Sequence, residues 1–344
     1  MTDDTILSVA DLSLRFGAKP KVKGSGLLAV NKVSFDLKQG ETLSIVGESG
    51  SGKTTIGRCI ARLYAPSQGS MVFQAKDGPV DLATLDKAGL RKVRREIQML
   101  FQDPNASLNS RMRIGEIVAE PLEIHGIGTK AERIERVRSL LERVGLSADA
   151  VNRYPHQLSG GQRQRVGIAR ALTISPRLLI CDEPVSALDV SVQAQVLNLL
   201  GDLQKEMGLT YIFVSHDLGV VDYISDRIMV LYLGTVMELA TRDDLFAAPA
   251  HPYTRALLDA MPARVGGKHR KRKVLSGEIG GPSGLRKGCV FAGRCPFATD
   301  ICRTHEPELR PWRRRPETRV ACHHADDLDL GSYDQPPPEP ESLP

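Results

Sequence analysis

A chain of 344 residues has room for one large domain with an appendage, or for two domains. Its 41 % hydrophobic and 25 % charged residues are ordinary for a globular protein, and a net charge of +5 suits a nucleotide, an anionic membrane surface or nucleic acid equally. No apolar run approaches the ~20 residues of a spanning helix, and the start, MTDDTILSVADLSL, is acidic where a secretory signal is basic; the expectation is a cytosolic protein whose membrane role comes through a partner.

Residues 6–16 (ILSVADLSLRF) and 28–37 (LAVNKVSFDL) alternate as strands do, around a polar loop, GAKPKVKGSG. Residues 42–46 (TLSIV) predict a short buried strand that runs into a glycine-rich turn, and the helix follows from Thr54. The turn, Gly47–Thr55, reads GESGSGKTT and satisfies G-x4-GK-[ST]. Backbone N–H groups of Gly47, Glu48, Ser49, Gly50, Ser51, Gly52, Lys53, Thr54 and Thr55 can close around a phosphate where side chains would collide. Lys53 would bring charge to the outer phosphates, the Thr54 hydroxyl would ligate magnesium, and the helix start adds a favourable dipole. The bland alternative, an accidental glycine turn, is disfavoured by the strand before it and the helix after.

From about residue 90 to 171 the chain reads as helices, with many charges and apolar positions at helical spacing; AERIERVRSLLERVGL is a strong amphipathic helix ending near Gly145. HQLSGGQRQRVGIARAL sets Ser159, Gly160, Gly161 and Gln162 at a helix start, with free N–H groups and a hydroxyl that could hold an anion. A plain serine N-cap is the alternative, although two successive glycines exceed what a cap needs.

Leu178–Glu183 (LLICDE) predicts a buried strand that delivers Asp182 to the carboxyl edge of a sheet, where a magnesium shell can form, with Glu183 next to it to orient a water. A surface acidic pair is the alternative. A helix with a glycine stop at Gly208, a buried strand TYIFVS, a helix HDLGVVDYIS and a hairpin around Gly234 follow. Alternating buried strands and helices imply α/β architecture with a parallel sheet covered on both faces.

The basic run 266–273 (GGKHRKRK) reads as a linker or solvated face, and the proline-rich acidic end as a disordered tail. Cys289, Cys295, Cys302 and Cys322 crowd the last fifth of the chain as C-x5-C-x6-C-x19-C, far from Cys59 and Cys181. A reducing compartment disfavours disulfides; with no C-x2-C pair a zinc ribbon is disfavoured too, and four thiolates suit zinc or an iron–sulfur cluster, with unliganded structural thiols as the alternative.

LSGGQ between a phosphate loop and LLICDEP resembles the ATP-binding subunits of ABC transporters, over residues 5–325. The resemblance implies a P-loop NTPase fold: a RecA-like parallel-sheet core with an antiparallel β subdomain and a helical subdomain in a nucleotide-binding domain 1–265, a cysteine-rich appendage at 266–325 and a tail at 326–344. It implies that Phe16 stacks on adenine, that Gln102 in MLFQDP reaches magnesium and the loop facing the membrane subunit, that Asp189 in SALD crosses a dimer interface, and that His216 in VSHD contacts the γ-phosphate. Lys53, Gln102, Glu183 and His216 would carry catalysis. Each has a bland alternative: Phe16 as a core aromatic, Gln102 and Asp189 as loop or cap residues, His216 as a strand-end histidine.

ICDEPVSALDVSVQAQVLNLL, FQDPNASLN and AHPYTRALLDAMP are similar to ATPases of oligopeptide and dipeptide importers, and SGGQRQR with CDEPVSALD to their second, F-type ATPase. Related importers for nickel, glutathione or murein peptides share these phrases, and a soluble non-transport ABC ATPase is a further reading. The resemblance implies ATP and Mg²⁺, and a [4Fe–4S] cluster (zinc as alternative) on Cys289, Cys295, Cys302 and Cys322. It also implies head-to-tail pairing with a sister ATPase subunit, two membrane permease subunits and an extracytoplasmic solute-binding protein, no nucleic acid, and a place on the cytoplasmic face of the inner membrane.

Overall fold

A computed structural model describes residues 4–17, 26–261 and 287–333. The basic run 266–273, most of the loop 17–26 and residues 334–344 of the tail lie outside them.

Two sheets organise the chain. The first is antiparallel, in the order β2-β1-β4-β5, from β1 (Thr5–Phe16), β2 (Leu27–Lys38), β4 (Gln68–Ala75) and β5 (Gly78–Asp81). The second has eight strands in the order β11-β12-β10-β9-β3-β8-β7-β6. Its members are β3 (Thr42–Val46), β6 (Ile97–Leu100), β7 (Leu178–Asp182), β8 (Thr210–Val214), β9 (Arg227–Tyr232), β10 (Thr235–Thr241), β11 (Arg310–Trp312) and β12 (Arg315–Val320). Strands β9, β3, β8, β7 and β6 run parallel. Every residue of β3, β7 and β8 is buried, as expected for strands covered on both faces.

Helices fill the connections: α1 (Lys53–Ile60), α2 (Lys87–Val93), α3 (Pro104–Ser107), α4 (Ile114–Ile124), α5 (Lys130–Arg143), α6 (Gly160–Leu172), α7 (Val190–Met207), α8 (Leu218–Ile224), α9 (Arg242–Ala247), α10 (Pro252–Ala260) and α11 (Asp300–Thr304). Helix α5 starts where its sequence says it should: Thr129 accepts from Glu132 N at 3.3 Å while Glu132 accepts from Thr129 N at 2.6 Å, a reciprocal cap. It buries Val137, Leu140 and Leu141 against the helices around α4 and α6. Helix α7 stops at Gly208, whose φ of +63° is the left-handed turn that glycine makes without strain.

Three sequence expectations need correction. Ile97–Leu100, inside the stretch read as helical, is strand β6, pairing with β7 through Ile97↔Leu178 and Leu100↔Cys181; four residues are too few to show a period against charged flanks. The C-terminal segment, expected as a small cysteine-rich appendage, is built into the body. Strands β11 and β12 extend the large sheet past β10, and Phe291 and Tyr333 sit in one core cluster with Tyr232, Phe246 and Tyr253. Residues 326–333, read as part of the tail, pack on the body: Leu328, Leu330 and Tyr333 are buried, and Tyr333 N donates to Phe246 O at 2.8 Å. Among the described residues no helix is long and apolar enough to cross a membrane.

Candidate functional site

Because β3, β8, β7 and β6 are parallel and adjacent, their carboxyl ends share one edge. The residues just past those ends are Gly47, His216, Glu183 and Gln102. Four sequence-remote residues therefore meet by topology, at the edge where open α/β sheets bind ligands.

The loop after β3 is built by close approach. Gly47 has a φ of +151°, and a Cβ there would lie 2.1 Å from Leu231 O. Gly52 has a φ of +104°, and its Cβ would meet Ala29 O at 2.5 Å. Both positions exclude every other residue. Lys53 is buried and folds back on the loop, donating to Gly47 O at 2.8 Å and Glu48 O at 3.0 Å. Burial lowers its pKa, opposed by Glu183, Asp182 and Glu48 nearby. Ser49 and Gly50 are exposed at the loop's tip.

Thr54 Oγ1 donates to Asp182 Oδ1 at 2.7 Å, joining the start of α1 to the end of β7. Burial pushes the Asp182 carboxyl up, and the Thr54 hydrogen bond opposes it. A hydroxyl and a carboxylate oxygen side by side are the donors a hard divalent cation takes, so this pair fits magnesium.

Glu183 follows directly, in the left-handed region with a φ of +47°. For a non-glycine residue that is strained backbone, and here the Glu183 N–H donates to Val214 O at 3.0 Å, which holds it. The turn aims its carboxylate between two partners: Gln102 Nε2 donates to Glu183 Oε2 at 3.0 Å, and His216 Nδ1 stands 3.1 Å from the same oxygen. The Glu183 side chain is 14 % exposed and that of His216 57 %, so the carboxylate is sheltered while the imidazole faces solvent.

Phe16, at the end of β1, is 36 % exposed and meets Tyr64 edge-to-face at 5.3 Å. Its ring is thus a partly open aromatic surface instead of a core residue. Asp189 is exposed at the N-cap of α7 and makes no side-chain cap.

Ser159 caps α6, as the bland alternative had it: its Oγ accepts from Gln162 N at 3.3 Å and its N–H donates to Gln162 Oε1 at 3.0 Å. At Gly161 a Cβ would lie 2.5 Å from the Val192 Cγ1 methyl, so a side chain there would have to displace that half-buried valine. Ser159 remains exposed, and among the described residues no hydrogen bond joins Ser159–Gln162 to the phosphate loop.

The four clustered cysteines line one cavity with His324 and Phe291, as the spacing suggested. The ligand expectation is overturned. The cavity holds about 10 Å³, which is about what one water needs, and among the described residues no group of three or more His, Cys, Asp or Glu side chains could hold a metal ion. All four are free thiols, and burial pushes Cys295 and Cys322 up to about 12, a range in which they stay protonated at neutral pH. The iron–sulfur expectation on Cys289, Cys295, Cys302 and Cys322, and its zinc variant, are withdrawn.

Sequence reading missed one contact altogether. Arg294, in GRCPF, donates to both carboxylate oxygens of Glu48, at 2.8 and 3.1 Å. No local pattern ties residues 246 positions apart. The only signal was an arginine among apolar and cysteine residues.

Fold and site together define a P-loop NTPase: a phosphate loop between a buried strand and a helix, with Thr54–Asp182 and Glu183 on the neighbouring strand edge. The ABC transporter family profile matches residues 30–186, and the profile of the oligopeptide/dipeptide transporter C-terminal region matches residues 237–302. The oligopeptide transport ATP-binding protein AppF of Bacillus subtilis is 51 % identical over 326 residues, covering 93 % of this chain and 97 % of AppF. Among solved structures, cbiO1 of Clostridium perfringens, part of the ABC transporter complex cbiONQ, aligns with a TM-score of 0.62 at 30 % identity over 71 % of this chain and 92 % of that one. The ATP-binding cassette MJ0796, in a dimeric post-hydrolysis state bound to ADP and Pi, aligns with a TM-score of 0.60 at 32 % identity over 69 % of this chain and 99 % of that one. The chain belongs to the ATP-hydrolysing ATP-binding proteins of ABC transporters.

Proposed function

We propose that this protein is the ATP-hydrolysing subunit that energises an importer of oligopeptides or dipeptides. The observation that carries the reading is the meeting of the Thr54–Asp182 pair and the Gln102–Glu183–His216 cluster at one sheet edge beside the phosphate loop.

Backbone N–H groups of Gly47–Thr55 cradle the β- and γ-phosphates of ATP, and Lys53 exchanges its two loop carbonyls for phosphate oxygens. Phe16 offers its ring to adenine. Thr54, Asp182 and Gln102 would hold magnesium, which when bound would supply positive charge against the charge developing on the transferred phosphate. Glu183 orients water and accepts its proton as the water oxygen bonds to the γ-phosphorus. The bond from that phosphorus to the ADP oxygen breaks, giving ADP and phosphate. His216 and Gln102 hold Glu183 in place and reach toward the γ-phosphate.

Ser159, Gly160, Gly161 and Gln162 complete the site from a second subunit. Ser159 is exposed and far in the chain from the loop, and the dimeric MJ0796 cassette supports such pairing. Asp189 lies on the face that meets this partner. The partner is a sister ATPase subunit; two permease subunits cross the membrane, and an extracytoplasmic solute-binding protein delivers the peptide. The match of residues 237–302 supports the peptide class. Residues 1–265 form the nucleotide-binding domain and 266–325 the region particular to peptide importers, on the cytoplasmic face of the membrane.

The test is turnover and trapping in Glu183→Gln: ATP bound and dimer held, with hydrolysis lost. Normal hydrolysis by that variant removes Glu183 from its role, and undiminished peptide uptake in cells carrying only that variant removes the coupling.

A further inference from the structure

The phosphate loop is held from outside the segment that matches the ABC transporter profile. Each polar group of Glu48, the loop's second residue, has a partner. Its carbonyl accepts from Lys53 Nζ at 3.0 Å, and its N–H donates to Tyr253 OH at 3.0 Å. Its two carboxylate oxygens accept from Arg294 at 2.8 and 3.1 Å. Tyr253 and Arg294 both belong to the stretch matched by the oligopeptide/dipeptide C-terminal profile.

Arg294 is itself fixed. Its side chain is 9 % exposed. Its Nη1 also donates to Tyr232 OH at 3.3 Å, and its guanidinium lies 5.8 Å from the centre of that ring. Tyr232 packs edge-on against Tyr253 at 4.7 Å and Phe291 at 5.3 Å. A planar fork on a two-oxygen acceptor, held against Tyr232, whose ring packs in turn on Tyr253 and Phe291, sets direction as well as distance.

Lys53 must leave Gly47 O and Glu48 O when phosphate arrives. The loop then loses both of those internal ties, while the Arg294–Glu48 and Tyr253–Glu48 contacts remain. Accepting the nucleotide role proposed above, we infer that Arg294 is a positioning residue for ATP binding: through Glu48 it holds the phosphate loop in its receptive shape, so that ATP affinity depends on the C-terminal segment. Arg294 touches neither ATP nor the water. Its contribution is the same before and during the reaction, so its loss raises KM and leaves kcat in place.

The experiment is steady-state ATP hydrolysis by the full chain, assembled with its partners, for Arg294→Ala, Arg294→Lys, Glu48→Ala and the Arg294→Ala/Glu48→Ala double variant. Expected is a KM for ATP raised about tenfold in Arg294→Ala with kcat within about twofold, a partial return in Arg294→Lys because an ammonium cannot bridge both oxygens, and a double variant no worse than the worse single one. A wild-type KM in Arg294→Ala, or single effects that multiply in the double variant, overturns the inference. If Arg294→Ala does not fold, Arg294→Lys against Glu48→Ala carries the same comparison. Direct ATP binding by Lys53→Ala separates the two levels: its loss alongside an unaltered Arg294→Ala defeats this inference alone, whereas wild-type ATP binding by Lys53→Ala defeats the nucleotide reading beneath it.

Discussion

His216 Nδ1 stands 3.1 Å from Glu183 Oε2, although the two residues leave different strands. Gln102 Nε2 reaches the same oxygen at 3.0 Å, so one carboxylate oxygen is flanked from both sides while the other is left for water. Position and proton acceptance are what such a carboxylate contributes, and general-base contributions run to about 10²–10⁴-fold. Glu183→Gln keeps the shape and one acceptor but cannot take the proton. We expect kcat to fall by at least about 100-fold with ATP affinity kept, measured by phosphate release and by ATP retained on a gel-filtered dimer. A variant hydrolysing at even a tenth of the wild-type rate would sink the assignment.

The glycines of the phosphate loop are not equivalent, and the difference is measurable. At Gly47 a Cβ would lie 2.1 Å from Leu231 O, backbone that cannot swing away, at a φ of +151°. At Gly50 the φ is +78° and a Cβ meets nothing within 4 Å. Gly50→Ala therefore meets only the left-handed penalty of about 1–2 kcal/mol, whereas Gly47→Ala must also displace the β9 strand end, at about 3 kcal/mol or more. Thermal melts and ATP titrations of the two variants check this. Equal losses would mean that the close approach to Leu231 is not what selects glycine.

Much of this site could be read from sequence because its geometry is local or topological. GESGSGKTT is one continuous turn, and LLICDE sets Asp182 at a strand end, so the Thr54–Asp182 contact follows once both strands are parallel neighbours of β8. Gln102, Glu183 and His216 converge for the same reason. What escaped was non-local or too short to have a period. Strand β6 is four residues long. Strands β11 and β12 make sense only beside β10, and Arg294 reaches Glu48 across 246 positions. The cysteines show the reverse error: their spacing put four thiols on one cavity, but spacing says nothing of the room between them, and about 10 Å³ leaves none for a cluster.

The thiols have a pH signature of their own. Burial pushes Cys295 and Cys322 from an ordinary 9.0 up to about 12. At pH near 8 their thiolate fraction is then about a thousandfold below that of an ordinary cysteine, so alkylation of the native protein at these two positions should be slower by about that factor. Unfolding should abolish the difference, as read by mass spectrometry of the two peptides. For an acid whose folded pKa is raised, stability is complete below the unfolded value and is lost as pH climbs through the folded one. These two thiols should therefore weaken the fold between about pH 9 and 12. Equal native and denatured alkylation rates would contradict their burial.

Glu238 gives the same argument within the physiological range. It lies on β10 with no exposure to solvent, and its carboxylate accepts from Ala250 N and His251 N, each at 2.9 Å. Burial pushes its pKa from 4.5 up to about 7, outweighing those backbone donors. The neighbouring His251 ring brings no charge to help, because burial drives its pKa down to about 3 and its Nδ1 accepts from Tyr253 N at 3.0 Å. The folded pKa lies above the unfolded one, so the stabilisation is whole below about pH 4.5 and drains away as pH rises through about 7. The gap amounts to about 3 kcal/mol between the two limits. Glu238→Gln cannot titrate, so unfolding free energies of wild type and variant, measured in denaturant from near pH 5 to near pH 8, should converge or cross by about that amount. Wild-type and variant profiles that run parallel across that interval would show that Glu238 stays ionised in the fold, its charge fully met by the two amides.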